Sequence, residues 1–322
     1  MQIVLQLGLL VVGFVLLMKG ADWFVEGASS IADKFGIPQL VIGLTIVAMG
    51  TSLPEAAVSI SAALKGSAEI TIGNVVGSNI MNVLVILGLA SVICAIPVQK
   101  STVKYEIPFT IGVTALLAFL GLWDNQVSRL EGGILWVFMV IYLLYLLRMA
   151  RKGNGKEPED RKEAGREGQE GKAKDQPVWK LLLMLVVGGA MIVYGSDVTV
   201  DAASALATIF GMEERFIGLT IVAFGTSLPE LVTSVTAALK GKADIAVGNI
   251  VGSNIFNILF VVGTAALITP VVYGANFLVD SIVAVATMVL LFVCVVHGKK
   301  LGRAGGAIML AGYAAYFVYL IG

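Results

Sequence analysis

The sequence predicts an all-α integral membrane protein of ten transmembrane helices, arranged as two inverted five-helix repeats. Three observations carry that expectation. The 322 residues are 57% hydrophobic and only 14% charged, with a mean hydropathy of +0.91, whereas soluble domains carry about 25% charged residues. Apolar segments long enough to cross a bilayer recur along the whole chain. A block of 40 residues then returns at a fixed offset of 175.

In chain order, spans are expected near 2–32, 38–64, 69–95, 104–121, 129–148, 178–208, 213–239, 244–270, 277–297 and 304–321. The first and sixth exceed the ~20 residues of a straight span and are expected to tilt. The apolar N-terminus runs on into more apolar sequence without a cleavage site, so it reads as a first span and not as a signal peptide. After the fifth span the composition changes abruptly. Residues 149–176 are charged, contain glycine and are nearly free of large apolar side chains, the pattern of a solvated, partly helical loop. The expected division is a first repeat at 1–148, a hydrophilic loop at 149–176 and a second repeat at 177–322.

Basic residues orient the chain, because loops rich in Lys and Arg stay in the cytoplasm. The face shared by the 149–176 loop carries 18 Lys and Arg, among them Lys34, Lys100, Lys104, Arg148, Lys180, Lys240, Lys242, Lys299, Lys300 and Arg303. The other face carries 3, namely Lys65, Arg129 and Arg215. The loop is therefore expected in the cytoplasm and both termini outside. A formal net charge of zero gives no reason to expect a nucleic-acid partner. Cys94 and Cys294 lie in apolar stretches without metal-ligand spacing, and the single histidine, His297, excludes His-based metal chemistry.

Residues Gly43–Asn82 and Gly218–Asn257 align without a gap, with 28 of 40 positions identical. The same offset pairs Gly13 with Gly188, Gly20 with Gly195, Asp22 with Asp197 and Gly36 with Gly211, so the repeat begins one span earlier. Five spans per half is an odd number, so the second half enters the membrane from the opposite side. Inverted repeats with interrupted helices and a midplane site are the plan of many secondary transporters.

Two motifs carry the chemistry. The first is GTSLPE, at Gly50–Glu55 and Gly225–Glu230. Pro54 and Pro229 each delete a backbone hydrogen bond and should break their helices, freeing carbonyls near Ala48–Gly50 and Ala223–Gly225. Glu55 and Glu230 fall near mid-span, where an ionisable group is costly and marks a functional site. No Lys or Arg occupies the centre of a span, so the counter-ion is expected from solution. Thr51 and Ser52 precede Glu55 by one turn, as Thr226 and Ser227 precede Glu230, and are expected on its helix face. Carboxylates, hydroxyls and carbonyls are hard oxygen ligands that suit Na⁺ and Ca²⁺. The second motif is GNVVGSNIMN, Gly73–Asn82, matched by GNIVGSNIFN, Gly248–Asn257. Its glycines suggest another broken helix. Ser78 and Asn82, like Ser253 and Asn257, are four apart and can turn oxygen to the same cavity; small residues here also suit helix packing.

GTSLPE followed by GNxVGSNIxN, in both halves, resembles the alpha repeats of the cation/Ca²⁺ exchanger superfamily, in particular its prokaryotic sodium/calcium exchanger branch. The resemblance covers essentially the whole chain. It implies a central calcium site flanked by sodium sites. The ligands it implies are the carboxylates of Glu55 and Glu230, side-chain oxygens of Thr51, Ser52, Thr226, Ser227, Ser78 and Ser253, carbonyls at Ala48 and Ala223, and the amides of Asn82 and Asn257. It further implies an antiporter exchanging Ca²⁺ for Na⁺ by alternating access, not an enzyme. The expected partners are those two ions and the lipid bilayer of a cell membrane, with no cofactor and a monomer sufficient for transport. Potassium-dependent relatives carry Asp where this chain has Asn257, so two carboxylates predict potassium-independent exchange. H⁺/Ca²⁺ antiport and K⁺-dependent exchange are the alternatives, and a passive channel or an intramembrane enzyme fits the residues less well. The Gly13, Gly20, Gly27, Gly188, Gly189 and Gly195 positions are expected to let the first and sixth spans slide past the motif core.

Overall fold

The computed structural model describes residues 2–64, 69–153, 176–211, 223–274 and 277–321. Helices dominate, as the apolar composition requires: within hydrocarbon, every backbone N–H and C=O must be satisfied internally. They are α1 (Gln2–Phe35), α2 (Gln39–Thr51), α3 (Leu53–Leu64), α4 (Ile70–Ile93), α5 (Thr102–Asp124), α6 (Arg129–Gly153), α7 (Val178–Ile209), α8 (Ala223–Thr226), α9 (Leu228–Leu239), α10 (Ala243–Ile268), α11 (Phe277–Val296) and α12 (Arg303–Ile321). Seven are long and apolar enough to cross a membrane, and the bent pair α2–α3 makes an eighth candidate span. Helix α6 runs to Gly153 and so takes in the first five residues of the expected hydrophilic loop. Residues 154–175 of that loop, together with Lys65, Arg215 and the stretch expected to open the seventh span, lie outside the described residues.

Burial separates an inner layer from an outer one. In their most apolar stretches, α10 is 94% buried and α4 is 72% buried, against 17% for α1 and 33% for α7. The exposed face of α1 carries Val4, Leu5, Val11, Phe14 and Met18. Such a continuous apolar surface needs lipid, not water, around it. Helices α1 and α7 pack lengthwise on each other through glycine. A Cβ added at Gly20 would meet the Gly188 carbonyl at 2.8 Å, and one at Gly195 would meet the Gly13 carbonyl at 3.0 Å. These glycines therefore join α1 to α7. The expectation that they loosen both helices against the motif core is corrected: close backbone contact without intervening side chains binds the two into one unit.

The break in GTSLPE is where proline puts it. Helix α2 stops at Thr51, Ser52 takes φ −85 and ψ 10, and α3 leaves at 50° with Pro54 in its first turn. Ser227 holds the equivalent position, φ −91 and ψ 2, before α9. The second motif behaves differently. Helices α4 and α10 are continuous through their glycines, with a π-helical stretch at Asn82–Leu87 and another at Asn257–Val262. The expected second break is thus a wide turn. The glycines serve close packing instead: a Cβ at Gly252 would stand 2.8 Å from the Leu44 backbone and from Ala48 Cβ, so α10 crosses α2 with the two backbones nearly touching.

Four two-residue strands depart from the all-helical expectation: β1 (Ile96–Pro97), β2 (Gln126–Val127), β3 (Val271–Val272) and β4 (Lys300–Leu301). Pairing is antiparallel, β1 with β4 and β2 with β3. The pairs sit at opposite ends of α5, where connecting segments leave the helices and need backbone partners. The offset of 175 also relates α3 to α9, the two π-helical stretches, β1 to β3 and the left-handed Gly36 and Gly211.

Candidate cation-binding site

The two broken helices bring Glu55 and Glu230 into the centre of the molecule, 1% and 0% exposed. They lie close enough for their charges to interact. Among the described residues neither has a salt-bridge partner. Removing two carboxylates from water without a counter-charge costs several kcal/mol per ion, so the pair is stable only when something positive joins it.

Each glutamate is served by the other half. Ser52 Oγ donates to Glu230 Oε1 at 2.8 Å, and Ser227 Oγ lies 3.4 Å from Glu55 Oε1. The helix-face expectation for Ser52 and Ser227 is corrected here: the break falls on the serine itself and turns its hydroxyl across the interface. Ser253 Oγ stands 3.4 Å from both Glu230 Oε1 and the Ala48 carbonyl. Ser78 Oγ is 3.4 Å from Ser227 Oγ. The Ala48 carbonyl also takes the Ser52 N–H at 3.0 Å, so it faces the site without being free of partners. Thr51 Oγ1 lies beside the Glu230 carboxylate, 3.0 Å from Asn249 Oδ1 and 3.3 Å from the Ala48 carbonyl. Thr226 is half-buried at the end of α8, which Ala223 opens.

Asn82 and Asn257 begin the π-helical stretches, where the wider turn rotates them inward. Asn82 Nδ2 donates to Asn254 Oδ1 at 2.9 Å, and Asn257 Nδ2 donates to Asn79 Oδ1 at 3.1 Å. The backbones close the figure, with Asn79 Nδ2 donating to the Asn254 carbonyl and Asn254 Nδ2 to the Asn79 carbonyl. With their nitrogens committed, Asn82 and Asn257 present only oxygen. Behind this layer Asn74 donates to Ser59 Oγ and the Glu55 carbonyl, and Asn249 donates to Ser234 Oγ. Sequence reasoning missed Asn74, Asn79, Asn249 and Asn254. Their signal was available: each is an amide inside an apolar span with an identical mate 175 residues away.

Four buried carboxylate and amide oxygens at this centre have no hydrogen-bond partner among the described residues: Glu55 Oε2, Glu230 Oε2, Asn82 Oδ1 and Asn257 Oδ1. Unpaired buried acceptors are rare and costly. Two mirrored sets of carboxylate and amide oxygen, all hard and together carrying two negative charges, fit a cation with oxygen preference.

Known proteins share this chain's sequence and fold. The family described as sodium/calcium exchanger protein matches residues 5–148 and 180–322. CaxA of Alkalimonas amylolytica is 42% identical over 309 residues, 95% of each chain. The sodium/calcium exchanger MaX1 of Methanosarcina acetivorans is 34% identical, with 97% of each chain aligned. A solved structure of the sodium-calcium exchanger NCX_Mj, soaked with zero Na⁺ and Ca²⁺, superposes with a TM-score of 0.84 at 32% identity and covers 99% of both chains.

Proposed function

The chain belongs to the sodium/calcium exchanger protein family, and on that premise we propose that Glu55 and Glu230 head the seat that Ca²⁺ and Na⁺ occupy in turn. The protein is an antiporter that exchanges Ca²⁺ for Na⁺ across the membrane. The observation that carries the assignment is the set of four unpartnered oxygens, two from Glu55 and Glu230 and two from Asn82 and Asn257. Ser52, Ser227, Ser78 and Ser253 complete the oxygen lining. Thr51, Thr226 and the Ala48 and Ala223 carbonyls stand at its edges as ligands for flanking Na⁺.

Charge balance drives the cycle. Ca²⁺ cancels the two carboxylates, and so do two Na⁺, whereas the empty seat keeps both charges at membrane depth. The empty protein therefore crosses between its two faces slowly, and one cargo leaves only as another enters. The element that moves is the α1–α7 unit, sliding over the fixed core of α2, α3, α4, α9 and α10. Two inverted five-helix repeats, ten transmembrane helices in all, account for the offset of 175 in sequence, helix bounds and hydrogen bonds. The repeats occupy 1–148 and 177–322. The 149–176 segment lies in the cytoplasm of a cell whose plasma membrane the chain spans, with both termini outside. One chain holds every ligand, so a monomer suffices for transport. With Asn257 in place of a third carboxylate, exchange is independent of K⁺.

The experiment is ⁴⁵Ca²⁺ uptake into vesicles driven by an imposed Na⁺ gradient, compared with a pH gradient, with and without K⁺. Uptake follows Na⁺, ignores K⁺, and disappears in Glu55→Gln and in Glu230→Gln. Normal uptake in both variants would overturn the site. Uptake driven by the pH gradient alone would overturn the coupling ion.

A further inference from the structure

A second buried carboxyl lies outside the central site. Glu106 closes a π-helical stretch, Thr102–Glu106, at the start of α5, and is 1% exposed. Tyr145 of α6 donates its hydroxyl to Glu106 Oε1. Glu106 Oε2 has no partner among the described residues, and neither do the hydroxyls of Thr102 and Tyr142. Thr102 and Tyr142 are themselves 1% and 4% exposed.

These groups share one place. Thr102 lies one turn before Glu106, with its hydroxyl beside the carboxyl. Phe109, three residues beyond Glu106, stacks on Tyr142 with ring centroids 5.5 Å apart. Tyr142 and Tyr145 are three apart on α6, on one helix face. Of the neighbouring polar groups, Met149 Sδ lies 3.7 Å from the Tyr145 hydroxyl. The exposed Lys104 holds its ammonium over the Tyr105 ring, 5.3 Å from the centroid. Among the described residues no basic side chain forms a salt bridge with Glu106.

One carboxylate oxygen and two buried hydroxyls thus lie in one neighbourhood without hydrogen-bond partners, and a cation among them would satisfy all three. All the donors are hard oxygens. A lone carboxylate supplies one negative charge, which a monovalent cation balances and a divalent one would exceed. We propose that Thr102, Glu106, Tyr142 and Tyr145 form a second cation site, separate from the Glu55–Glu230 centre, that takes one Na⁺.

The cluster has a partial counterpart in the second half. Along these outer helices the offset is 174, which relates β2 to β4 and the left-handed Asn125 to Lys299, and it carries Glu106, Tyr142 and Tyr145 onto Asp280, Tyr316 and Tyr319. There Tyr316 donates to Asp280 Oδ1 at 2.7 Å, but both residues are only half-buried, whereas Glu106 is buried. Occupancy at Glu106 pins α5 to α6.

The test is a Na⁺ titration of thermal unfolding in detergent, with choline chloride holding ionic strength, on full-length protein carrying Glu55→Gln and Glu230→Gln. Na⁺ at about ten times its dissociation constant should raise the midpoint by about 2 °C. Adding Glu106→Gln should remove the shift, and adding Tyr142→Phe should raise the Na⁺ needed for half of it several-fold. The same titration of the otherwise unaltered chain, with and without Glu106→Gln, reads the difference where the silenced centre impairs folding. A shift that survives Glu106→Gln in both backgrounds would overturn the proposal. So would a shift produced by lowering pH but not by Na⁺, which would make the proton the occupant.

Discussion

Replacing Asn254 by alanine tests whether the buried amides aim the ligands or merely fill space. The side chain takes the Asn82 N–H at 2.9 Å and donates to the Asn79 carbonyl at 3.1 Å. Alanine deletes both bonds and leaves Asn82 Nδ2 without an acceptor at a residue only 1% exposed. A hydrogen bond contributes about 1 kcal/mol net, and an orphaned buried donor costs about 1–3 kcal/mol. The expected loss of stability is thus about 2–4 kcal/mol. A second consequence separates function from folding. Without its anchor the Asn82 amide is free to turn, and Oδ1 no longer holds its direction toward the seat. Losing about 1.4 kcal/mol of ligand energy corresponds to a tenfold weaker apparent affinity. Thermal unfolding in detergent reads the first effect, and the KM for Ca²⁺ in Na⁺-driven ⁴⁵Ca²⁺ uptake reads the second. Asn79→Ala should repeat both through Asn257. If both variants lose stability while the Ca²⁺ KM stays unchanged, the amides do not orient ligands and the reasoning fails.

Gly252→Leu puts a side chain where Leu44 and Ala48 already stand at 2.8 Å; overpacking of this kind costs about 1–3 kcal/mol or more, and a clear drop in unfolding midpoint and in folded yield is expected. A Gly27→Cys, Met184→Cys pair should crosslink α1 to α7, since the two Cβ atoms would stand 3.2 Å apart, near disulfide range; exchange should persist after oxidation, and a reversible block by oxidant would refute movement of the two helices as a unit. Asn257→Asp adds a third carboxylate to the centre, so Ca²⁺ uptake should become sensitive to K⁺ or to pH; a profile unchanged in both would refute the charge-count argument.

Much of this was legible because the sequence says it twice. Duplicated Pro54 and Pro229 located the helix breaks, since a missing N–H acts locally and needs no knowledge of the tertiary fold. Glu55 and Glu230 stood out because a charge inside an apolar run has few explanations. What stayed hidden depended on the path of the backbone. Asn82 and Asn257 sit at π-helical stretches, and a pattern read at 3.6 residues per turn carries no sign of an extra residue. Ser52 lies three residues before Glu55, yet it serves Glu230, because the 50° bend falls between them. The glycines of α4 and α10 resembled breakers and proved to be contact points. Glycine alone does not distinguish a bend from a close crossing; only the partner helix does. Glu106 went unremarked for a related reason, since it lies two residues from Lys104 near a span end and reads there as an ordinary interfacial charge.

The small strand pairs have a mechanical consequence. β1 ties the first half of the chain to the second through β4, and at the far end of α5 β2 does the same through β3. The halves are stitched together at both hems. A swing of one half against the other, as two rigid blocks, would have to tear out a seam at whichever face opened. The seams exclude α1 and α7, which reach the rest of the fold through helix packing and a few polar contacts: Asp22 with Lys240, Ser29 and Asp33 with Gln39, and Ser196 with the Gly225 carbonyl. In the proposed cycle the seams make the inner helices a chassis and the outer pair the carriage that travels along it.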